Sequence, residues 1–284
     1  MSMRSATVFT HRRAREAQAG LAQLRKAAAA AGIALRFDEE ETKRHGLTSE
    51  PGVVINAPVI ADVDLCIVMG GDGTILHALR SYAATGVPVF AINYGDVGFL
   101  ATEDAENLDS ALTRAFNGEF EVLSLPGIEI QGQGKTLVAI NDISLHRQQG
   151  LRVAHLSYAV SDDEVGSVRC DGLVIATPAG STGYNLANGG PVMAWGVGGF
   201  VVSFIAPHSL TARPLVVAPR DVLTVANRSI DEPIDVAIDG RPVWELEPGQ
   251  SIQARFIPKQ GTLARIAGTS FYHRLHERFG RMSQ

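Results

Sequence analysis

The segment Leu65-Cys66-Ile67-Val68-Met69 is an unbroken apolar run, with Asp64 before it and glycine after it. A strand with no polar position has no face to show to water, so it belongs inside a sheet that is covered on both sides. The neighbouring sequence supplies the covers. Thr74–Ala84 places Ile75, Leu79 and Tyr82 along one helical face. Arg13–Ala31 is rich in Ala, Leu, Gln, Glu and Arg, all good helix formers, and Gly32 is a stop signal. Ala6–Thr10, Ile33–Phe37 and Val87–Ile92 read as further strands, the last entered through a proline-containing turn. Strands alternating with helices predict an open, mostly parallel α/β sheet.

After about residue 105 the texture changes. Asp109–Phe116 still fits a helix, but from Val122 the chain is β-like with frequent turns. Leu156, Tyr158 and Val160 alternate with Ser157 and Ala159, and Ile252, Ala254 and Phe256 alternate with Gln253 and Arg255. These are half-buried strands, and Asp239-Gly240 and Pro248-Gly249 mark turns between short runs. Ser270–Phe279 returns to helix, with Phe271, Leu275 and Phe279 on one stripe that needs a surface to bury against. The expected fold is therefore α/β plus all-β. Residues 1–105 form an open α/β domain, completed by 267–284, whose helix returns to it, and residues 106–266 form a β-rich, sandwich-like domain.

Bulk properties narrow the function. A formal charge of −5 offers no basic surface for nucleic acid or an anionic membrane. No window approaches the length of a bilayer-spanning helix, and the first residues lack a signal-peptide pattern. Cys66 and Cys170 form no metal spacing and no disulfide framework, which predicts buried thiols and a reducing, cytoplasmic compartment.

The chemistry begins where the buried strand ends. Gly70-Gly71-Asp72-Gly73-Thr74 joins it to a helix, and glycines there let the backbone turn tightly and approach a ligand closely. The unpaired N–H groups and positive end of the following helix suit phosphate. No Lys follows, so this is not a Walker loop, nor does it match the Gly-x-Gly-x-x-Gly turn. A carboxylate beside phosphate is repulsive unless it holds a metal, takes a proton or binds a hydroxyl; the bland alternative makes Asp72 a helix N-cap. His77, one turn on, either reaches the same phosphates or is an ordinary core or surface histidine.

A second loop repeats the theme. Asp171–Pro178 reads as a strand led by a carboxylate, and Ala179-Gly180-Ser181-Thr182-Gly183-Tyr184-Asn185-Leu186-Ala187 turns sharply toward a short helix before Asn188-Gly189-Gly190-Pro191. Hydroxyls and backbone groups suit a ribose, and a Tyr ring suits a base. Asn141-Asp142 interrupts an apolar β stretch, either as a turn or as ligand-binding groups. Arg169, two residues before Asp171, is placed to neutralise phosphate or to pair with Asp171.

These pieces together resemble the ATP–NAD kinase family of bacteria. The matching residues are Gly70–Thr74, Gly95-Asp96-Val97-Gly98-Phe99-Leu100, Asn141-Asp142, Asp171 to Pro191, Pro207-His208-Ser209-Leu210 with Arg213-Pro214, and Asp239-Gly240, in the family's order. The glycine loop is shared with phosphofructokinases and with diacylglycerol and sphingosine kinases; Asp171 to Pro191 is the specific part. The resemblance implies phosphoryl transfer from ATP, with Mg²⁺ or another divalent cation, to the 2′-hydroxyl of the adenosine ribose of NAD. It implies a site between the domains and a homodimer or homotetramer, with Asp72 as catalytic base. It assigns dinucleotide binding to Asn141, Asp142, Asp171 and Thr182, Gly183, Tyr184, Asn185, Leu186 and Ala187. Asp72, Gly73, His77 and Arg169 complete the expected NAD-binding set, and no protein ligand of a metal is identified. Asp142 stands where Glu is usual, Gly183 where Ala is common and Ala179 where Thr is common. The alternatives are a kinase of a lipid or sugar phosphate that shares the glycine loop, or a non-catalytic dinucleotide sensor.

Overall fold

The computed structural model describes residues 3–94, 98–101, 103–268 and 270–280. The chain folds into two compact units, residues 1–124 with 261–284, and residues 125–260. The sequence reading divided the chain at 105/106 and 266/267, where texture changes; packing divides it later and earlier, respectively. The reason is that 106–116 is helical and packs with the first unit, while the strand that ends at Arg265 changes units partway along its length.

The first unit contains β1 (Ser5–Thr10), α1 (Ala14–Ala31), β2 (Ala34–Arg36), α2 (Glu39–His45), β3 (Val53–Val54), β4 (Leu65–Gly70), α3 (Asp72–Ser81), β5 (Val89–Asn93), β6 (Glu103–Asp104) and α4 (Leu108–Phe116). Its sheet is parallel in the order β5-β4-β1-β2-β3, with β6 beside β5. Alternation along the strands assigns the layers. Val8, Ile67, Met69, Phe90 and Ile92 share a core with Leu21 and Leu24 of α1 and Leu112 of α4. On the opposite face the Tyr82 hydroxyl donates to Thr7 Oγ1 at 2.6 Å, and His77 of α3 meets the Phe9 ring edge-on at 4.9 Å. Gly32 ends α1 in the left-handed region at φ 69°, as its stop signal requires. From β1 the order runs outward through β2 and β3, then returns to place β4 on the other side of β1. Open α/β sheets bind ligands outside the carboxyl ends of their strands at such a reversal. The carboxyl end of β4 is the glycine loop.

The second unit is built from most of β7 (Glu121–Gly132), β8 (Lys135–Ala139), β9 (Asp142–Arg147), β10 (Ala154–Val160), β11 (Asp163–Cys170), β12 (Gly172–Ala176), the short α5 (Tyr184–Ala187), β13 (Phe200–Ile205), β14 (Leu215–Val217), β15 (Val222–Asn227), β16 (Ile234–Ile238), β17 (Arg241–Leu246) and most of β18 (Ser251–Arg265). One sheet runs β14-β13-β12-β9-β16-β17, and β11-β10-β15-β18 lie side by side in another. Ile143, Leu145, Leu173 and Ile175 of the first sheet share one core with Leu156, Leu223, Val225 and Ile252 of the second, which makes a sandwich. The tail of β18 pairs in parallel with β5 through Leu263 and Ala264, and α6 (Phe271–Gly280) follows in the first unit. Phe271 is buried there, and Arg278 lies over the Phe99 ring at 5.9 Å.

Asp239-Gly240 makes the two-residue connection between β16 and β17, and both residues have positive φ, 47° and 73°. A tight hairpin whose twist matches its strands needs that conformation, and Asp and Gly tolerate it best. The turn also carries a stitch. The Asp239 carboxylate accepts backbone N–H groups from Ile140 (3.1 Å), Asn141 (2.7 Å) and Asp142 (3.1 Å). Replacing Asp239 with Ala strands three donors, and hydrogen bonds to a charged group are each worth about 1.5–3 kcal/mol. Because neighbouring bonds are not additive, the expected loss is about 3 kcal/mol for Asp239→Ala and about 1 kcal/mol for Asp239→Asn. Urea unfolding measures it; an Ala variant as stable as a surface substitution would show that the stitch is idle.

Candidate active site

In the first unit, β4 delivers the chain to Gly71, which is the N-cap of α3 and makes no side-chain cap. Asp72 is already helical, so the N-cap alternative for Asp72 is excluded. Its carboxylate instead accepts the N–H of Phe99 at 3.0 Å and of Leu100 at 3.2 Å. Gly98 permits this contact, since a Cβ there would lie 2.1 Å from Asp72 Oδ1. Of the family-like motif starting at Gly95, residues 95–97 lie outside the described residues, whereas Gly98 to Leu100 grip the carboxylate. The glycines of the loop need a correction. None of Gly70, Gly71 or Gly73 has positive φ, so they are not there to make a strained turn. A Cβ at Gly70 would meet Thr74 Oγ1 at 2.6 Å, but at Gly71 and Gly73 it would meet nothing within 4 Å. Close packing inside the chain demands glycine only at 70, and bare backbone at 71 and 73 stays open to an approaching group. His77 is half-buried against Phe9.

In the second unit, antiparallel pairing of β9 with β12 sets Asp142 opposite Ala176. That register brings the Asn141-Asp142 corner to the loop after β12. The Asn141 carbonyl accepts the Thr177 N–H at 2.8 Å, Thr177 Oγ1 donates to the Ile140 carbonyl at 2.7 Å, and the Gly180 N–H donates to Thr177 Oγ1 at 3.0 Å. Gly180 sits so close that a Cβ would lie 2.1 Å from the Asn141 carbonyl oxygen. A 3₁₀ turn over Gly180–Thr182 leads to α5, and Thr182 Oγ1 donates to the Ala179 carbonyl at 3.2 Å. Gly183, Tyr184 and Ala187 are exposed, Leu186 is half-buried, and Asn185 is fully buried. The Asn185 amide nitrogen donates to the carbonyls of Ser181 (2.9 Å) and Pro191 (3.0 Å), closing the loop. The amide oxygens of Asn141 and Asn185 are buried with no hydrogen-bond donor among the described residues. Tyr184, 38% exposed, lies nearly parallel to the His146 ring, centroids 5.6 Å apart and 20° between planes.

Burial, and then the nearby Asp239 charge, push the Asp142 carboxyl up to about 7, so it titrates near neutrality. Asp171 is half-buried and receives Arg147 Nε at 2.5 Å. Asp171 is thus paired with Arg147, and not with Arg169 as one of the two expectations had it. Arg169 lies on β11 and is exposed, Cys170 ends that strand, and Asp171 is the crossover residue between sheets. The structure thus gathers Asn141, Asp142 and Thr182 to Ala187 around one corner of the second unit. Asp72, Gly73 and His77 belong to the first. Sequence reasoning missed the Asp239 stitch, the Gly98–Leu100 grip, the Arg147 partner of Asp171 and the His146 ring under Tyr184. All four are long-range contacts; only Asp239-Gly240 carried a local signal, as a turn.

Comparison with known proteins supplies the family. The model of the ATP-NAD kinase N-terminal domain matches residues 22–120, and that of the ATP-NAD kinase C-terminal domain matches residues 140–265. The NAD kinase of Lachnoclostridium phytofermentans is 32% identical over 230 residues, covering 77% of this chain and 81% of that protein. The NAD kinase of Bifidobacterium longum is 30% identical over 289 residues, covering 98% and 82%. Among solved structures, yeast NADH kinase complexed with NADH shares the fold at a TM-score of 0.87, with 21% identity over 99% of this chain and 88% of that one. An NAD kinase from Archaeoglobus fulgidus in complex with ATP shares it at 0.73, with 24% identity over 98% of both chains. With both of its units matched by the two domain models, and with relatives aligned along most of their own length, the chain belongs to the NAD kinase family.

Proposed function

We propose that this enzyme transfers the γ-phosphoryl group of ATP to the 2′-hydroxyl of the adenosine ribose of NAD, in the cytoplasm, with Asp72 as the base. The observation that carries the reading is a carboxylate fixed by two backbone N–H groups at the mouth of an open glycine loop. In the transfer, the 2′-oxygen bonds to the γ-phosphorus as the bond to the ADP oxygen breaks, and the hydroxyl proton passes to Asp72. Such a transition state is loose, so alignment and charge neutralisation outweigh base strength. Held from behind by Phe99 and Leu100, the Asp72 carboxylate keeps one direction through the reaction. The open backbone at Gly71 and Gly73, with the start of α3, suits the phosphates. We propose that magnesium enters as its complex with ATP, bound through phosphates and water.

In the second unit, Asn141, Asp142, Asp171 and the segment from Thr182 to Ala187 are assigned to the dinucleotide. The buried amide oxygen of Asn141, without a donor among the described residues, suits a ligand N–H or O–H group, and the exposed Tyr184 ring suits a base. Arg169 and His77 are assigned to phosphate. We also propose a homodimer or homotetramer with the exposed Gly183-Tyr184 turn at or near a subunit contact.

Three expected outcomes follow from these assignments. Asp72→Asn lowers kcat by about 100-fold or more, the low end for a general base, with the fold intact by circular dichroism. Near-normal kcat with NADP formation as readout would leave Asp72 a structural residue. For Asp142, ligand hydroxyls favour the ionised form, whereas below about 7 the free protein holds the proton. NAD binding therefore strengthens as pH rises from about 6 to about 8, and Asp142→Asn flattens the dependence. Calorimetry with NAD alone, free of the titration of ATP, reads this; a flat wild-type profile counts against contact. Sedimentation velocity from micromolar to nanomolar protein, run beside the assay, tests the assembly, and a fully active monomer throughout rules out a shared site.

A further inference from the structure

Asp142, Ser144 and His146 alternate along β9 onto one face of its sheet, while Ile143 and Leu145 bury the other face in the core. Beside His146, β12 brings Gly172 and β16 brings Asp235. Gly172 contributes no side chain to this face, and a Cβ there would lie 2.1 Å from the Leu145 carbonyl oxygen. Asp235 is turned to the Gln148 amide, which donates to it at 2.9 Å. The imidazole is met instead by the Tyr184 phenol, in the offset parallel arrangement that favours aromatic pairs. Burial holds His146 toward its neutral form, with the Asp235 charge opposing; Asp142 on β9 and Glu245, opposite Asp235 on β17, are further titratable groups on this face.

α5 is four residues long, too short to fix a side chain through its own helical hydrogen bonds. Asn188 Nδ2 donates to the Tyr184 carbonyl at 2.8 Å and the same side chain hydrogen-bonds the phenol, which fixes the backbone and the tip of the ring and leaves its face to the packing against His146. An exposed aromatic ring must be ordered before it can stack on a ligand, and that ordering weakens binding unless it is done in advance. We propose that His146 is a positioning residue for the dinucleotide: its ring backs Tyr184, holding the phenol flat as a stacking face for a heteroaromatic ring of the substrate. The inference rests on the assignment of Tyr184 to the dinucleotide site made above.

The test is a double-mutant cycle on steady-state kinetics with NADP formation as readout. His146→Ala raises the KM for NAD roughly three- to tenfold, the size of one aromatic pair, with kcat within about twofold and the KM for ATP unchanged. His146→Phe, which keeps a ring in the same place, recovers most of the loss. Tyr184→Ala raises the same KM, and adding His146→Ala to it changes nothing further, because the two act as one unit. Adenosine and nicotinamide mononucleotide serve as competing probes, and the one whose inhibition weakens in His146→Ala identifies the stacked ring. Independent, additive effects overturn the proposal, as does a failure of the Phe variant to recover binding or of either probe to weaken. A kcat that falls together with both KM values marks a structural role and overturns it too. Absence of NADP formation by the unmutated enzyme would count against the function instead, and the unmutated enzyme and the four variants would then be compared by calorimetry with NAD.

Discussion

A single peptide, that of Asn141, ties the second unit's candidate site together. Its N–H is bound by the Asp239 carboxylate, its carbonyl takes the Thr177 N–H, and Gly180 packs directly on its backbone. Three segments far apart in sequence, the β8–β9 corner, the loop after β12 and the β16–β17 turn, therefore share one anchor. Each contact constrains the residue type that makes it. Gly180 is glycine because any Cβ would enter the Asn141 backbone; residue 239 combines a positive φ with a carboxylate that reaches three N–H groups. Position of the Thr182–Ala187 segment is thus inherited from the β9–β12 register rather than from the segment's own sequence.

The elements that were legible in the sequence are those with a local cause. Leu65–Met69 reads as a doubly covered strand because every residue in it is buried, and the structure buries all of β4. α1 was legible from composition and Gly32, and α3 from its apolar spacing. α2, Glu-Glu-Glu-Thr-Lys-Arg-His, went unread because it has no apolar stripe. It forms through end effects: Asp38 caps the Glu41 N–H at 2.7 Å, acids fill the first turn, bases the last, and Gly46 closes it. Its buried residues are polar, Glu41 and Thr42, and the Glu41 carboxylate accepts both the N–H and the hydroxyl of Thr10. No hydrophobic pattern announces that kind of burial. The same limit applies to the candidate site. Residue types and loop positions were legible, but the groups that orient them were not, because Phe99 with Asp72 or Arg147 with Asp171 meet only after the sheets form.

The two central aspartates illustrate how environment divides labour between like side chains. Asp72 is oriented by N–H donors at its back, a contact that survives only because residue 98 lacks a Cβ. Those bonds fix direction and leave the carboxylate no freedom to turn away, which suits a group whose service is positional. Asp142 is treated in the opposite way. The N–H donors at its corner go to Asp239 instead, so burial and a neighbouring negative charge hold its carboxyl near 7. A carboxyl in that condition gains most from a ligand that brings hydrogen-bond donors to its ionised form, and it is poorly satisfied without one. The residue that orders the Asn141 peptide thus also supplies the charge that adds to burial, the larger cause, in raising the Asp142 carboxyl. Stability of the corner and part of the Asp142 shift come from the same residue. A change at Asp239 therefore acts on both, and neither can be tuned there without the other.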